Sequence, residues 1–166
     1  MVFGDQVGVG AHSLLIVPDW RERGSGVEPA IVIGSRTSLG VACTISAINR
    51  VSIGNDVLFG PRVWITDHNH EFRDVTRPIH AQGRTAGGFV EIEDNCWIGT
   101  GAVVVGARGI RIGKGSVIGA NSVVVRSVAP FSVVAGNPAR VIRQFDADRG
   151  DWRRVDEPDP QASHQR

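Results

Sequence analysis

The side chains best suited to chemistry are five histidines: His12, His68, His70, His80 and His164. Two of them stand two residues apart in Thr66-Asp67-His68-Asn69-His70. An imidazole titrates near neutrality and takes a proton from a hydroxyl or an amine, so such a pair beside a cleft is general-base chemistry. In an arbitrary loop the same residues would be polar groups satisfied by water. Zinc is the rival use of imidazole. No histidine occurs between His80 and His164, so a His68/His70 site lacks its third ligand unless His12 or His80 approaches, and no metal is expected.

What would position the pair is a six-residue repeat. A branched or large apolar residue leads, glycine usually follows, and a small residue takes the fifth place. Ile118-Gly119-Ala120-Asn121-Ser122-Val123 shows the pattern, and Ile112-Gly113-Lys114-Gly115-Ser116-Val117 precedes it directly. The leads form triplets: Ile33, Leu39, Ile45; Ile53, Phe59, Ile65; Ile92, Ile98, Val104; Ile112, Ile118, Val124; and a weaker Phe3, Val9, Leu15. Glycine follows every second lead (Gly10, Gly40, Gly60, Gly99, Gly119) and no third lead (Ile16, Ser46, Thr66, Val105, Val125). Three hexads per turn give a triangular coil of short strands. Successive turns stack in parallel about 4.8 Å apart with the leads pointing inward, and glycine is expected at the tight corners. A glycine-rich β-sandwich would alternate without this register.

Two interruptions break the count. About 19 extra residues leave the coil between Glu71 and Phe89, and about ten more between Pro18 and Pro29. Long excursions from a strict repeat are usually functional. The reading is all-β: one parallel β-helix domain over residues 1–145, with excursions at 18–29 and 71–89. Residues 146–166 are charged, carry Pro158 and Pro160, and read as a mobile tail. The net charge of +1 gives no reason to expect nucleic acid as a partner. No apolar run approaches the ~18 residues that span a bilayer, and the opening Met1-Val2-Phe3-Gly4-Asp5 does not resemble a signal peptide, so a cytoplasmic location is expected.

No covalent nucleophile stands out. Cys43, Cys96, Ser116 and Ser122 all occupy the small fifth place and read as interior packing residues. Direct transfer to an acceptor activated by a base is therefore the simpler mechanism.

Three blocks carry a family resemblance: Val90-Glu91-Ile92-Glu93-Asp94-Asn95-Cys96-Trp97-Ile98-Gly99-Thr100-Gly101; Gly115-Ser116-Val117-Ile118-Gly119-Ala120; and Val134-Ala135-Gly136-Asn137-Pro138-Ala139-Arg140-Val141-Ile142. Over roughly residues 30–145 the sequence resembles the hexapeptide-repeat acyltransferases of the maltose/galactoside O-acetyltransferase kind. Asp67-His68-Asn69-His70 resembles the O-antigen and exopolysaccharide branch. The resemblance implies a left-handed coil, an exception to the usual right-handed crossover. It also implies a homotrimer with active sites between subunits, acetyl-CoA as donor and a carbohydrate as acceptor. Counting without gaps from Val63-Trp64-Ile65 places the family's catalytic histidine on His70; a two-residue shift places it on His68. Asp67, Asn69 and Trp97 are the implied acceptor contacts. The places that line the CoA arm fall on Thr100, Ala120 and Val125, with Arg140 and Arg143 for phosphate. The sequence lacks the family's usual N-terminal helical segment before the coils, and Val104–Gly109 is two residues longer than the usual turn.

The leading expectation is O-acetyl transfer to a sugar hydroxyl. The alternatives are N-acyl transfer to an amino sugar on a nucleotide carrier, and a non-enzymatic or zinc-binding β-helix of the γ-carbonic anhydrase kind.

Overall fold

The structure is a computed structural model that describes residues 1–18, 28 and 30–155. Five turns of coil each contribute one short strand to each of three sheets. The first turn is β1 (Val2–Phe3), β2 (Gly8–Val9) and β3 (Leu14–Ile16). The second is β4 (Ile31–Ile33), β5 (Ser38–Leu39) and β6 (Thr44–Ser46), and the third β7 (Arg50–Ile53), β8 (Leu58–Phe59) and β9 (Trp64–Thr66). The fourth is β10 (Phe89–Ile92), β11 (Trp97–Ile98) and β12 (Val103–Val105), and the fifth β13 (Ile110–Ile112), β14 (Val117–Ile118) and β15 (Val123–Val124). The first sheet runs β1-β4-β7-β10-β13, the second includes β2-β5-β8-β11-β14, and the third runs β3-β6-β9-β12-β15, all parallel.

The register pairs lead with lead. Phe3 faces Ile33, then Ile53, Ile92 and Ile112 up one side. Leu15, Ile45, Ile65, Val104 and Val124 climb another. From the second turn onward the leads are buried, as are the small fifth-place residues Thr37, Cys43, Cys96, Ser116 and Ser122. The polar ones are satisfied inside: Thr37 Oγ1 donates to the Gly54 carbonyl and Ser116 Oγ to that of Ala129. Each large side chain so buried contributes roughly 1.5–3 kcal/mol. In the first turn Phe3 and Val9 remain about half exposed.

The glycine after the lead has a different cause from the one expected. Left-handed backbone falls two places further on, at Arg36, Ala42, Asp56, Arg62, Asn95 and Asn121. The second-place glycine is there because coils touch: a Cβ on Gly40 would lie 2.6 Å from the Gly60 carbonyl carbon. At the third leads of the first four turns the strands β3, β6, β9 and β12 run one residue further before turning, and no glycine is needed there.

The chain leaves the coil after β9 and returns at β10, so the excursion ends at Gly88. It contains one turn of 3₁₀ helix, Ile79–Ala81. The expected excursion at 18–29 lies almost wholly outside the described residues. The expectation of a mobile tail from 146 is corrected as far as residue 155. β16 (Ser132–Gly136) joins the second sheet beside β14, and β17 (Ala139–Asp146) and β18 (Asp151–Arg154) extend it antiparallel. Phe145 holds this hairpin, packing on Phe131 at 6.3 Å and edge-on to Trp152 at 5.6 Å. Periodicity could not show it, because a two-strand hairpin outside the hexad register carries charge on its open face.

Candidate active site

The excursion starts from a buried anchor. Asp67 has no exposed surface. Its Oδ1 accepts the Ile48 amide at 3.0 Å, and its Oδ2 accepts those of Asn49 and Arg50 at 2.8 Å each. These three amides cross the corner between β6 and β7, so the carboxylate clips one turn of coil to the next. Oδ1 also lies 2.9 Å from His68 Nδ1, and Thr66 Oγ1 lies 3.2 Å from the same nitrogen. With Nδ1–H donating to the carboxylate, Nε2 is left with its lone pair. His68 is therefore oriented, and its tautomer is set by a fixed charge.

Beyond it the two arms of the excursion zip together. Asn69 N–H donates to Thr85 Oγ1, Thr85 N–H to the Asn69 carbonyl and Glu71 N–H to that of Gly83. His70 and Arg84 form the antiparallel bridge between these bonds. Gly88 N–H donates to the Asp67 carbonyl, closing the loop on its own anchor. His70 is exposed, whereas the His68 side chain is 11% accessible.

Both histidines line one open cleft of about 420 Å³ on the outer face of the third sheet. Its walls are Ile16, Pro18, Thr44, Ser46, Trp64, Thr66, Asn69, Arg84, Val103 and Val105. The cleft thus brings His68, His70 and Asn69 together. It does not include Asp67, which was expected to touch the acceptor: all its capacity is spent on backbone amides and His68, and it lies behind the imidazole. Trp97 is on the second sheet, between Leu58 and Val117, and does not reach this cleft within one chain. Sequence reasoning missed Trp64 and Arg84. Trp64 was legible from its outward place beside the lead Ile65; Arg84 was not, because its nearness to His70 comes from loop pairing.

The expected donor residues gather along a different line. Gly60, Thr100 and Ala120 stack at the corner between second and third sheets, where a Cβ on Gly60 would lie 2.6 Å from Thr100 N and one on Gly99 2.7 Å from Ala120 N. A Cβ on Gly119 would lie 3.0 Å from that of Ala135, and Ala135 pairs with Arg140. A strip of small residues therefore ends beside Arg140. Arg143 lies further along β17, opposite Val133, and Val125 is exposed just beyond β15 on the third face. Cys43 and Cys96 are buried free thiols whose pKa burial raises, so neither is a poised nucleophile. Among the described residues, no group of three or more His, Cys, Asp or Glu side chains could hold a metal.

Residues 89–126 match the family described as hexapeptide repeat of succinyl-transferase. A maltose O-acetyltransferase from Clostridium difficile is 30% identical and superposes with a TM-score of 0.71, over 87% of this chain and 71% of that one. The chain belongs to the hexapeptide-repeat acyltransferase family. A family member from Vibrio cholerae, a hexapeptide-repeat acetyltransferase complexed with acetyl-CoA, is 28% identical with a TM-score of 0.72, covering 87% and 71% of the two chains. A putative lipopolysaccharide biosynthesis O-acetyl transferase of Escherichia coli is 35% identical over 117 residues, 67% of this chain and 59% of that protein. The chain spans about half the length of the curated family members it matches.

Proposed function

We propose that the chain is an acetyltransferase that moves an acetyl group from acetyl-CoA to a sugar hydroxyl, with His68 as general base. The carrying observation is the Asp67–His68 pair at 2.9 Å at the edge of a cleft, in a chain of this family. Gapless counting favours His70, but only His68 is held by a buried carboxylate, with Nε2 as its free lone pair. His70 and Asn69 are then acceptor contacts at the mouth.

Acetyl-CoA supplies an activated thioester carbonyl. The chain's part is to seat the acceptor hydroxyl against Trp64 and the cleft wall and to take its proton at His68 Nε2. The same proton is then given to the departing thiolate. Asp67 stabilises the imidazolium that forms between these steps. The Gly60–Thr100–Ala120 strip suits a pantetheine arm because its side chains leave room, and Arg140 and Arg143 suit its phosphates.

Left-handed coiling and trimeric assembly belong to the same reading. Leu58 and Trp97 on the second face, with Leu14 and Trp64 on the third, present large exposed apolar side chains on both sides of the corner strip. Packing around a three-fold axis would cover them and bring the corner of one chain to the cleft of the next, so a sedimentation mass of three chains is expected. No helix among the described residues is long and apolar enough to cross a membrane, and a cytoplasmic location is part of the proposal.

The test is CoA release from acetyl-CoA over a panel of sugars and sugar nucleotides. Wild type releases CoA and forms an ester; His68→Ala abolishes release while acetyl-CoA still binds, and His70→Ala retains part of it. The reverse ranking moves the base to His70. An amide product points to N-acyl transfer, and absence of acetyl-CoA binding refutes the reading.

A further inference from the structure

The corner between β6 and β7 serves both arms of the excursion through one residue, Asn49. Its backbone N–H donates to Asp67 Oδ2 at 2.8 Å, where the outgoing arm is anchored. Its side-chain Nδ2 donates to the Ala86 carbonyl at 2.7 Å, on the returning arm. Gly87 follows directly and is pressed against the same corner. A Cβ there would lie 2.9 Å from Ile48 Cδ1 and 3.0 Å from both Asn49 Nδ2 and the Asp67 carbonyl oxygen, and its φ is +73°. A residue without a side chain is what lets the returning arm come this close.

Two lines of contact run from Asn49 into the cleft. One passes through Asp67 to His68. The other passes through Ala86 to its neighbour Thr85, whose Oγ1 accepts the Asn69 N–H at 3.1 Å and whose N–H donates to the Asn69 carbonyl at 2.9 Å. Asn69 and the adjacent His70 line the cleft together with His68. The first line uses the main chain and survives any substitution except proline, whereas the second needs the side-chain amide. Asn49 is exposed, so its side chain adds little to the buried core; what its bond fixes is where the returning arm lies.

We infer that Asn49 is a positioning residue, which holds the acceptor-side residues Asn69 and His70 in register with the base at His68. This rests on the acetyltransferase reading and adds the residue that ties acceptor contacts to the catalytic platform. Freeing the returning arm leaves His68 aimed by Asp67, and it leaves the donor strip, at a different corner of the coil, untouched. Acceptor binding should therefore weaken while turnover of a bound acceptor persists.

The experiment compares the full chain with Asn49→Ala and with Asn49→Asp, which keeps the shape but turns a carboxylate towards the Ala86 carbonyl. Amide exchange is read by NMR. In both variants the Thr85 and Gly88 amides should exchange about five- to tenfold faster, the scale of one net hydrogen bond. The Ile48 and Arg50 amides, held by Asp67, should keep their rates. CoA release is measured with methyl β-galactoside, maltose and UDP-glucose, and the best wild-type acceptor is carried forward. Its KM should rise by a similar factor, with kcat unchanged and acetyl-CoA affinity unchanged in titration calorimetry. Unaltered exchange at Thr85 and Gly88 overturns the inference. So does a fall in kcat at constant acceptor KM, which would place the side chain with the aiming of His68, or faster exchange at Ile48 and Arg50 as well, which would make it a brace for the coil. Failure of the wild type to bind acetyl-CoA or use any acceptor would instead count against the acetyltransferase reading, and exchange alone would then uphold or overturn the hold on the returning arm.

Discussion

Asp67 and His68 are consecutive in sequence, yet one is fully buried and the other faces the cleft, with Oδ1 and Nδ1 2.9 Å apart. The carboxylate that joins two turns of the coil is also the one that aims the imidazole. Asp67→Asn removes charge from both tasks. Its amide turns an NH2 group towards amide donors, so we expect a loss of about 1–3 kcal/mol in denaturant unfolding. We also expect kcat to fall at least about a hundredfold as the His68 tautomer is lost. Loss of kcat with KM for acetyl-CoA unchanged separates the aiming role from a merely structural one.

Gly40→Ala and Gly83→Ala test two different demands on glycine. A Cβ at Gly40 meets backbone of the next turn at 2.6 Å, which cannot step aside without parting the coils. We expect about 1–3 kcal/mol of destabilisation from such overpacking. At Gly83 nothing lies within 4 Å, but φ is +80°, so only the left-handed backbone cost of about 1–2 kcal/mol applies. That cost should appear as local loop opening in hydrogen exchange, with the global unfolding midpoint unmoved.

Cys43 and Cys96 should resist alkylation in the native protein near pH 8. Their thiols are buried, donate to the carbonyls of Gly60 and Gly113 at 3.3 Å, and are pushed up in pKa by desolvation. Mass spectrometry should show no native adduct and two adducts in urea.

The excursion should loosen in acid. Glu71 and Asp74 are held below their ordinary pKa, Glu71 chiefly by the Arg73 amide and Asp74 by the Thr76 hydroxyl. A carboxylate whose folded pKa is depressed contributes stability that is full above its unfolded pKa and lost as pH falls through the folded one. Amide exchange at Phe72, Arg73 and Thr76 should therefore accelerate below the normal carboxylate range. Amides of the buried strands, such as Ile98 and Ile118, should stay protected there.

The coil was legible because inward residues obey a strict spacing: every lead triplet from Phe3 to Val124 falls on the expected sheet. The histidine pair was legible because it sits where that spacing stops. The reason for glycine at the second place was misread, since the approach of one turn to the next is a contact between residues about 20 apart. Asp67 was taken for an acceptor contact because a loop aspartate looks like a solvent-facing ligand; its partners at 48–50 lie across a corner. Arg84 was invisible because loop pairing follows no period. The C-terminal hairpin was missed because it is built on Phe145 and Trp152 packing outside the repeat.

A stack whose rings touch only their neighbours has two ends, and here they differ. The C-terminal end is closed along one side by the antiparallel hairpin, while the first ring leaves Phe3 and Val9 half open. Loss of structure in such a stack travels as a front from its weakest ring. Ile16 and Pro18, at one rim of the cleft, belong to the first ring, whereas the corner at Ile48–Arg50 that holds Asp67 lies between the second and third. The two sides of the cleft thus hang on different rings, so loosening of the first ring would reach the Ile16 rim without moving the carboxylate that aims the imidazole.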